Sequence, residues 1–140
     1  MWTEHRSKIR TMLTSMATLA ERLRLQKHPY VICHADLHPA NVIRDPAGDV
    51  FVIDWDEVML APKERDFIFV RHPHDDAFFR GYGEAAINEE ALTYYRLERD
   101  IQDLIECAKI ACNGENDSAG DDARQSALQL LQNILAGNHP

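Results

Sequence analysis

The segment from Val31 to Glu57, VICHADLHPANVIRDPAGDVFVIDWDE, restricts the fold more than any other part of the chain. Two short runs of mostly β-branched residues, Val42-Ile43 and Val50-Phe51-Val52-Ile53, flank Asp45-Pro46-Ala47-Gly48-Asp49. Proline presets φ at a turn and glycine tolerates φ > 0, so these pieces predict a β-hairpin. Tyr30 to Cys33 predicts a further short strand, a buried one. Strands this short do not make an independent sheet. The hairpin must therefore pack on helices.

The rest of the sequence supplies those helices. Ile9, Met12, Leu13, Met16, Leu19 and Leu23 recur at three- and four-residue steps, the apolar stripe of an amphipathic helix over roughly residues 2 to 26. His28-Pro29 ends it, because the residue before a proline is pushed out of the α region. A second helix is predicted across Asp75 to Tyr82. Asn88, with Glu89 and Glu90 behind it, offers a capping side chain and then acids at the positive end of the dipole. Leu97, Ile101, Leu104, Ile105 and Ala108 carry that helix to about Cys112, where Asn113-Gly114 stops it. Glu115 to Asp122 reads as a mobile polar loop. The last helix runs from about Asp122 to Ala136, with Ala127, Leu128, Leu131, Ile134 and Leu135 on one face. The expected class is α+β, mainly helical. With 140 residues, 45% of them hydrophobic, the chain fits one domain, 1–140, with a real core.

Charge narrows the function. Fifteen Lys and Arg against 23 Asp and Glu give −8, the wrong sign for a nucleic-acid-binding module and compatible with a cationic small-molecule partner. Cys33, Cys107 and Cys112 are an odd set without a CxxC pair, which points to reduced thiols. The N-terminal MWTEHRSKIR has no apolar h-region, and no apolar run approaches the ~18 residues of a membrane span. The expected location is cytoplasmic, away from membranes.

Phosphoryl transfer needs a carboxylate to orient the attacking hydroxyl, and oxygen ligands for the magnesium ions that bridge the phosphates. His34-x-Asp36-x-x-x-x-Asn41 followed by Ile53-Asp54 has the protein-kinase layout of base, metal-binding Asn and metal-binding Asp. The hairpin accounts for the spacing, because it returns the chain so that Asp54 can face Asn41. A plainer alternative is an acidic loop that merely caps the hairpin, with His38 bonded inside it.

The wording HADLHPAN, then IDWDE, then APKERD resembles the aminoglycoside phosphotransferase family and its small-molecule kinase relatives. The motifs come nearest to the family's spectinomycin phosphotransferases, and Tyr94-Tyr95-Arg96-Leu97-Glu98-Arg99 resembles a downstream helix of that group. The likeness covers roughly residues 28 to 112. It implies a protein-kinase-like C-terminal lobe with a small hairpin beside the catalytic loop. It also implies roles: Asp36 as catalytic base, His34 as a brace for its loop, Asn41 and Asp54 as Mg²⁺ ligands, and Asp66 as the anchor beneath the loop. Ile43 and Ile53 would floor the nucleotide base. Asp56 and Glu57 would contact a cationic aminocyclitol. ATP would be the co-substrate and a hydroxyl of a small, cationic antibiotic such as spectinomycin the acceptor.

Kinases of this kind close a second, N-terminal lobe over the nucleotide, with a glycine-rich loop and a strand-borne lysine. Here about 30 residues precede the catalytic loop and read as helix, and Lys8 and Lys27 have no strand context. The resemblance therefore implies that the nucleotide-clamping lobe is absent. The chain alone should then be inactive, with weak ATP affinity. Val31, Val42, Ile43, Val52 and Ile53 would form an apolar patch open to self-association or to a separate lobe, a non-catalytic binding role. Gly81-Tyr82-Gly83-Glu84-Ala85-Ala86 has the form G-x-G-x-x-A, yet it follows a helix and not a strand, so it predicts a helix end and turn.

A metal-dependent hydrolase is the rival class. Cys33, His34, Asp36 and His38 cluster, and His72-Pro73-His74-Asp75-Asp76 has the H-x-H-x-D form. Imidazole and carboxylate suit zinc. Ala77 stands where the next histidine of such a site belongs.

Overall fold

The computed structural model describes residues 2–70, 76–83, 85–113 and 118–137. In chain order the elements are helix α1 (Trp2–Arg24), strands β1 (Val31–Cys33), β2 (Val42–Arg44), β3 (Val50–Val52) and β4 (Met59–Ala61), then helices α2 (Asp76–Tyr82), α3 (Glu89–Asn113) and α4 (Ser118–Ala136). Short 3₁₀ turns occupy Pro39–Asn41 and Lys63–Phe67. The chain divides into two compact units, Met1–Glu21 with Arg96–Pro140, and Arg22–Tyr95.

The first unit is helical. Leu104, Cys107 and Ala111 of α3 close on Ala127, Leu131, Ile134 and Leu135 of α4, and Ile9 and Met12 of α1 pack against them. Leu131 is wholly buried. The predicted apolar stripes thus face one another. Two devices finish α4: the Lys8 ammonium donates to the Leu135 carbonyl, and Gly137 takes a positive φ while its N–H bonds Ile134 O at 3.0 Å. A cation and a left-handed glycine are what unpaired carbonyls at a helix end favour.

The second unit holds the strands. β2 and β3 form the expected hairpin, with Val42, Ile43 and Arg44 opposite Val52, Phe51 and Val50. Its turn is built as the sequence implies: Gly48 N–H donates to Asp45 O, and the Asp45 carboxylate accepts from Asp49 N–H. The other pair, β1 with β4, runs antiparallel with Ile32 opposite Leu60. Sequence pattern did not reveal β4, and β1 is not the buried strand it predicted. Cys33 is buried, but Ile32 is 72% and Leu60 67% exposed. A two-stranded sheet covers only the faces that other elements reach, and here only Cys33 and Ala61 meet the core.

That core gathers on Phe67, Ile68 and Leu92. Phe67 meets the rings of Phe78, Phe79 and Tyr82 edge-on, with centroids 5.6, 5.5 and 4.9 Å away. Asn88 caps α3 as predicted, its Oδ1 accepting from the N–H groups of Glu90 and Ala91. Its Nδ2 donates to Gln26, whose own amide bonds Glu90.

Two boundaries differ from expectation. α1 stops at Arg24, its end tightened by the bonds Leu25 N to Arg22 O and Gln26 N to Leu23 O. α4 begins at Ser118, so part of the stretch expected to be a mobile loop is helix. Gly114, the expected stop of α3, lies outside the described residues. So do residues 72–75 of the H-x-H-x-D segment. Gly83, at φ 95 with its N–H on Phe79 O, ends α2, as a helix terminus and not a dinucleotide loop should. Among the described residues no helix is long and apolar enough to cross a membrane.

Candidate active site

The loop from His34 to Asn41 lies between β1 and β2, and three sets of bonds fix it. From below, the Asp66 carboxylate takes two backbone donors, His34 N–H at 3.0 Å and Ala35 N–H at 2.7 Å. Ala35 is buried and sits at φ 70. A non-glycine residue in that region costs roughly 1–2 kcal/mol, and the two charge-assisted bonds are what hold it there. Asp66 thus acts on the backbone where the chain turns into Asp36.

The second set belongs to His34, 3% exposed. Its Nε2 lies 2.8 Å from Ile53 O, and its Nδ1 accepts the Asp36 N–H at 3.3 Å. A carbonyl can only accept, so Nε2 carries the proton and the ring is neutral. The Trp55 ring stands over it, centroids 4.7 Å apart, held by its own Nε1–H bond to Val52 O. With both nitrogens engaged, His34 ties the loop to the hairpin's end and has no lone pair for a metal.

The third set comes from Asn41, also buried. Its Nδ2 donates to Asp36 O at 2.9 Å and reaches Asp36 Oδ2 at 3.3 Å. Its carbonyl accepts the Ile53 N–H at 3.0 Å. The hairpin therefore brings its far end back to Asn41, and Asp54 is the next residue along, exposed and at φ 63. Two positive-φ residues that are not glycine, Ala35 and Asp54, bracket the constellation, the kind of backbone strain that concentrates at functional sites.

Asp36 is partly exposed and has a second neighbour. His38 Nε2 lies 3.5 Å from Asp36 Oδ2, while His38 Nδ1 accepts from Ala40 N–H. Ile43 and Ile53 share one face of the hairpin with Phe51, since Ile43 pairs with Phe51 and side chains alternate along a strand. They are 47% and 41% exposed. Asp56 and Glu57 lie on the turn between Asp54 and β4, exposed. Among the described residues no hydrogen bond or ion pair joins them to Asp36, Asn41 or Asp54. The fold thus assembles His34, Asp36, Asn41 and Asp66 with the backbone ahead of Asp54, and it leaves Asp56 and Glu57 apart.

Sequence reasoning missed Trp55 as the cover of His34, and its only sequence signal was its place after Asp54. It also missed Glu64, 2% exposed, which accepts from Asn88 N–H at 2.9 Å and Lys63 Nζ at 2.7 Å. Burial pushes its carboxyl up, yet the Asn88 N–H and the Lys63 ammonium outweigh it and hold the group below the usual range. Burial first, and the Asp66 charge second, push the Cys33 thiol up to about 11. Cys33 donates to Ala61 O and Pro62 O, which makes it a core thiol. No group of three His, Cys, Asp or Glu able to hold a metal occurs among the described residues. Among these residues Cys33, His34, Asp36 and His38 do not gather into such a group.

Asn41 and Asp54 present a different donor set. Nδ2 of Asn41 is engaged with Asp36, so its free donor atom is the amide oxygen, and Asp54 adds a carboxylate. Two hard oxygen ligands suit Mg²⁺, which keeps part of its hydration and binds through one or two protein oxygens.

A family model described as the phosphotransferase enzyme family, APH, matches residues 3–99. No curated protein matches the chain. Among solved structures, a spectinomycin phosphotransferase, APH(9)-Ia, in complex with ADP and spectinomycin superposes with a TM-score of 0.75 at 26% identity, over 96% of this chain and 45% of that one. The AMP-bound complex of the same enzyme gives 0.72 at 28% identity, over 99% and 44%. The chain thus spans less than half the length of the structures it resembles.

Proposed function

The chain belongs to the phosphotransferase enzyme family, and on that premise we propose that it is the catalytic lobe of a kinase that moves the γ-phosphoryl of ATP to a hydroxyl of a small molecule. One observation carries this: the Ile53 N–H to Asn41 O bond joins the hairpin's end to the loop that holds Asp36. It supports a reading in which Asp36, Asn41 and Asp54 act together. In this reading Asp36 orients the acceptor hydroxyl and takes its proton, while Asn41 shares its amide between Asp36 and the metal site. Asn41 and Asp54 would hold Mg²⁺, which when bound neutralises charge on the phosphates. His34 and Asp66 position the loop, and Ile43 and Ile53 offer an apolar floor to the adenine. Relatives crystallised with ADP, AMP and spectinomycin support nucleotide and a small hydroxylated acceptor as ligands. Asp56 and Glu57 remain the proposed contacts for a cationic acceptor's outer groups.

Turnover by the 140 residues alone should be negligible. The residues ahead of β1 form α1 and not a strand-borne phosphate clamp, so the phosphates and the metal would stay in water, where each electrostatic contact is weak. The test is a titration of the chain with ADP, with and without Mg²⁺, followed by amide chemical shifts. Weak binding that perturbs Asn41, Ile43 and Ile53, requires Mg²⁺ and loses that requirement in Asp54→Asn is expected. Nucleotide binding indifferent to Mg²⁺, or rapid phosphorylation of spectinomycin by the chain alone, would contradict the assignment.

A further inference from the structure

We propose that Glu64 is a positioning residue for the loop that carries Asp36: its bond to the start of α3 fixes the rotation of the turn that holds Asp66. This deepens the phosphotransferase reading and rests on it, since the loop's geometry matters to a reaction only where Asp36 acts as the base. Lys63–Phe67 form a 3₁₀ turn. With three residues per turn, side chains three apart eclipse and successive ones point about 120° apart. Glu64 and Phe67 therefore share one side of the turn, and both are buried. Asp66 falls on the next side, where its carboxylate takes His34 N–H at 3.0 Å and Ala35 N–H at 2.7 Å.

The two buried side chains constrain the turn differently. Phe67 meets three aromatic rings edge-on. Apolar burial is non-directional, so it sets how deep the turn sits and little else. Glu64 Oε1 accepts Asn88 N–H at 2.9 Å and the Lys63 ammonium at 2.7 Å. Lys63 belongs to the same turn, so of these two bonds only the one to Asn88 ties it to another element. Hydrogen bonds weaken steeply off their axis, and this one therefore resists rotation. Its far end is itself held: Asn88 Nδ2 donates to Gln26 at 3.0 Å, and Gln26 and Arg22 both donate to Glu90, at 2.7 and 3.0 Å. A rotated turn would carry the Asp66 carboxylate sideways, and one carboxylate cannot then keep bonds to two successive amides. Ala35, at φ 70, would lose the contacts that hold it just ahead of Asp36. Glu64 touches no reacting atom; it acts through Asp66.

The experiment uses the ¹⁵N-labelled 140-residue chain. Glu64→Met keeps the side chain's length and burial but removes the acceptor, whereas Glu64→Gln keeps an oxygen for Asn88. Phe79→Leu trims the aromatic cluster and leaves the turn's hydrogen bonds in place, a control for stability alone. Amides are compared at urea concentrations that give every chain the same unfolding free energy. Glu64→Met should shift the amide protons of His34 and Ala35 and speed their exchange at least about tenfold relative to Phe79→Leu. Glu64→Gln should stay near the unaltered chain. Native-state exchange of the unaltered chain adds a reading that needs no variant: the amides of Asn88, His34 and Ala35 should open together, with one urea dependence, before the rest of the unit. The proposal is overturned if Glu64→Met matches Phe79→Leu at His34 and Ala35, or if the Asn88 amide opens separately from theirs. Failure of the Mg²⁺–ADP titration would instead remove the phosphotransferase reading and leave this clamp on the loop standing.

Discussion

At the residue scale the constellation depends on Asp66 more than on any group that would touch substrate. One carboxylate holds two successive N–H groups while Ala35 stays in the left-handed region. Asp66→Asn keeps one acceptor oxygen and places a donor where the other was. It should cost about 1.5–3 kcal/mol, the range for a lost hydrogen bond to a charged group, read as a lower urea midpoint. An unchanged midpoint would mean that Ala35 holds its conformation unaided. Cys33 makes a second prediction, and its sign follows from linkage. With its folded value raised to about 11 from 9.0, the folded chain keeps a proton that the unfolded thiol releases. Stability is therefore intact below the unfolded value and falls as pH rises through this window, by on the order of 2 kcal/mol. Cys33→Ala should flatten that alkaline slope in urea titrations. A slope equal to that of the unaltered chain would assign it to other groups.

At the element scale the β2–β3 hairpin is the part whose register the chemistry needs. Asp45-Pro46-Ala47-Gly48 forms a turn closed by Gly48 N–H on Asp45 O, and Gly48 sits at φ 97. A side chain there would also meet the Arg44 guanidinium at 3.3 Å, a flexible group that can move aside, so the backbone conformation decides the outcome. Gly48→Val should destabilise the chain by about 1–2 kcal/mol, the cost of a β-branched residue at positive φ. It should also disturb the Ile53 N–H to Asn41 O bond, so faster hydrogen exchange at Ile53 is the accompanying readout. If exchange at Ile53 stays slow, the hairpin end is fixed by His34 and Trp55 instead. β1 and β4 need no such turn chemistry, because their pairing is closed by everything between Cys33 and Met59.

At the scale of the whole molecule, each unit has its own core, yet much apolar surface in the Arg22–Tyr95 unit stays outside. Ile32, Phe51, Trp55 and Leu60 are each more than half exposed. Surfaces of this kind favour association. Light scattering should show the average mass rising with concentration, and Leu60→Glu should lower it; a steady monomer mass throughout would remove the association reading. Much of this architecture was legible in the sequence, and the reasons are local. Helix stripes and the Asn88 cap follow from a 3.6-residue period and a side chain that bonds its own helix. The hairpin follows from Pro46 and Gly48, which encode dihedrals directly. Asp36, Asn41 and Asp54 were recognisable because fixed sequence spacing across a hairpin fixes spatial proximity. What the sequence could not convey is which distant groups meet. Nothing near Met59 announces its pairing with Cys33, nothing in Trp55 predicts the His34 ring beneath it, and the exposure of Ile32 contradicts its hydrophobicity. Local chemistry thus determined the helices and the hairpin by itself. Only tertiary packing decided that Asp66 reaches the loop's backbone, that both nitrogens of His34 are engaged, and that the Trp55 ring stands over it, because contacts between residues far apart in sequence depend on how whole elements pack.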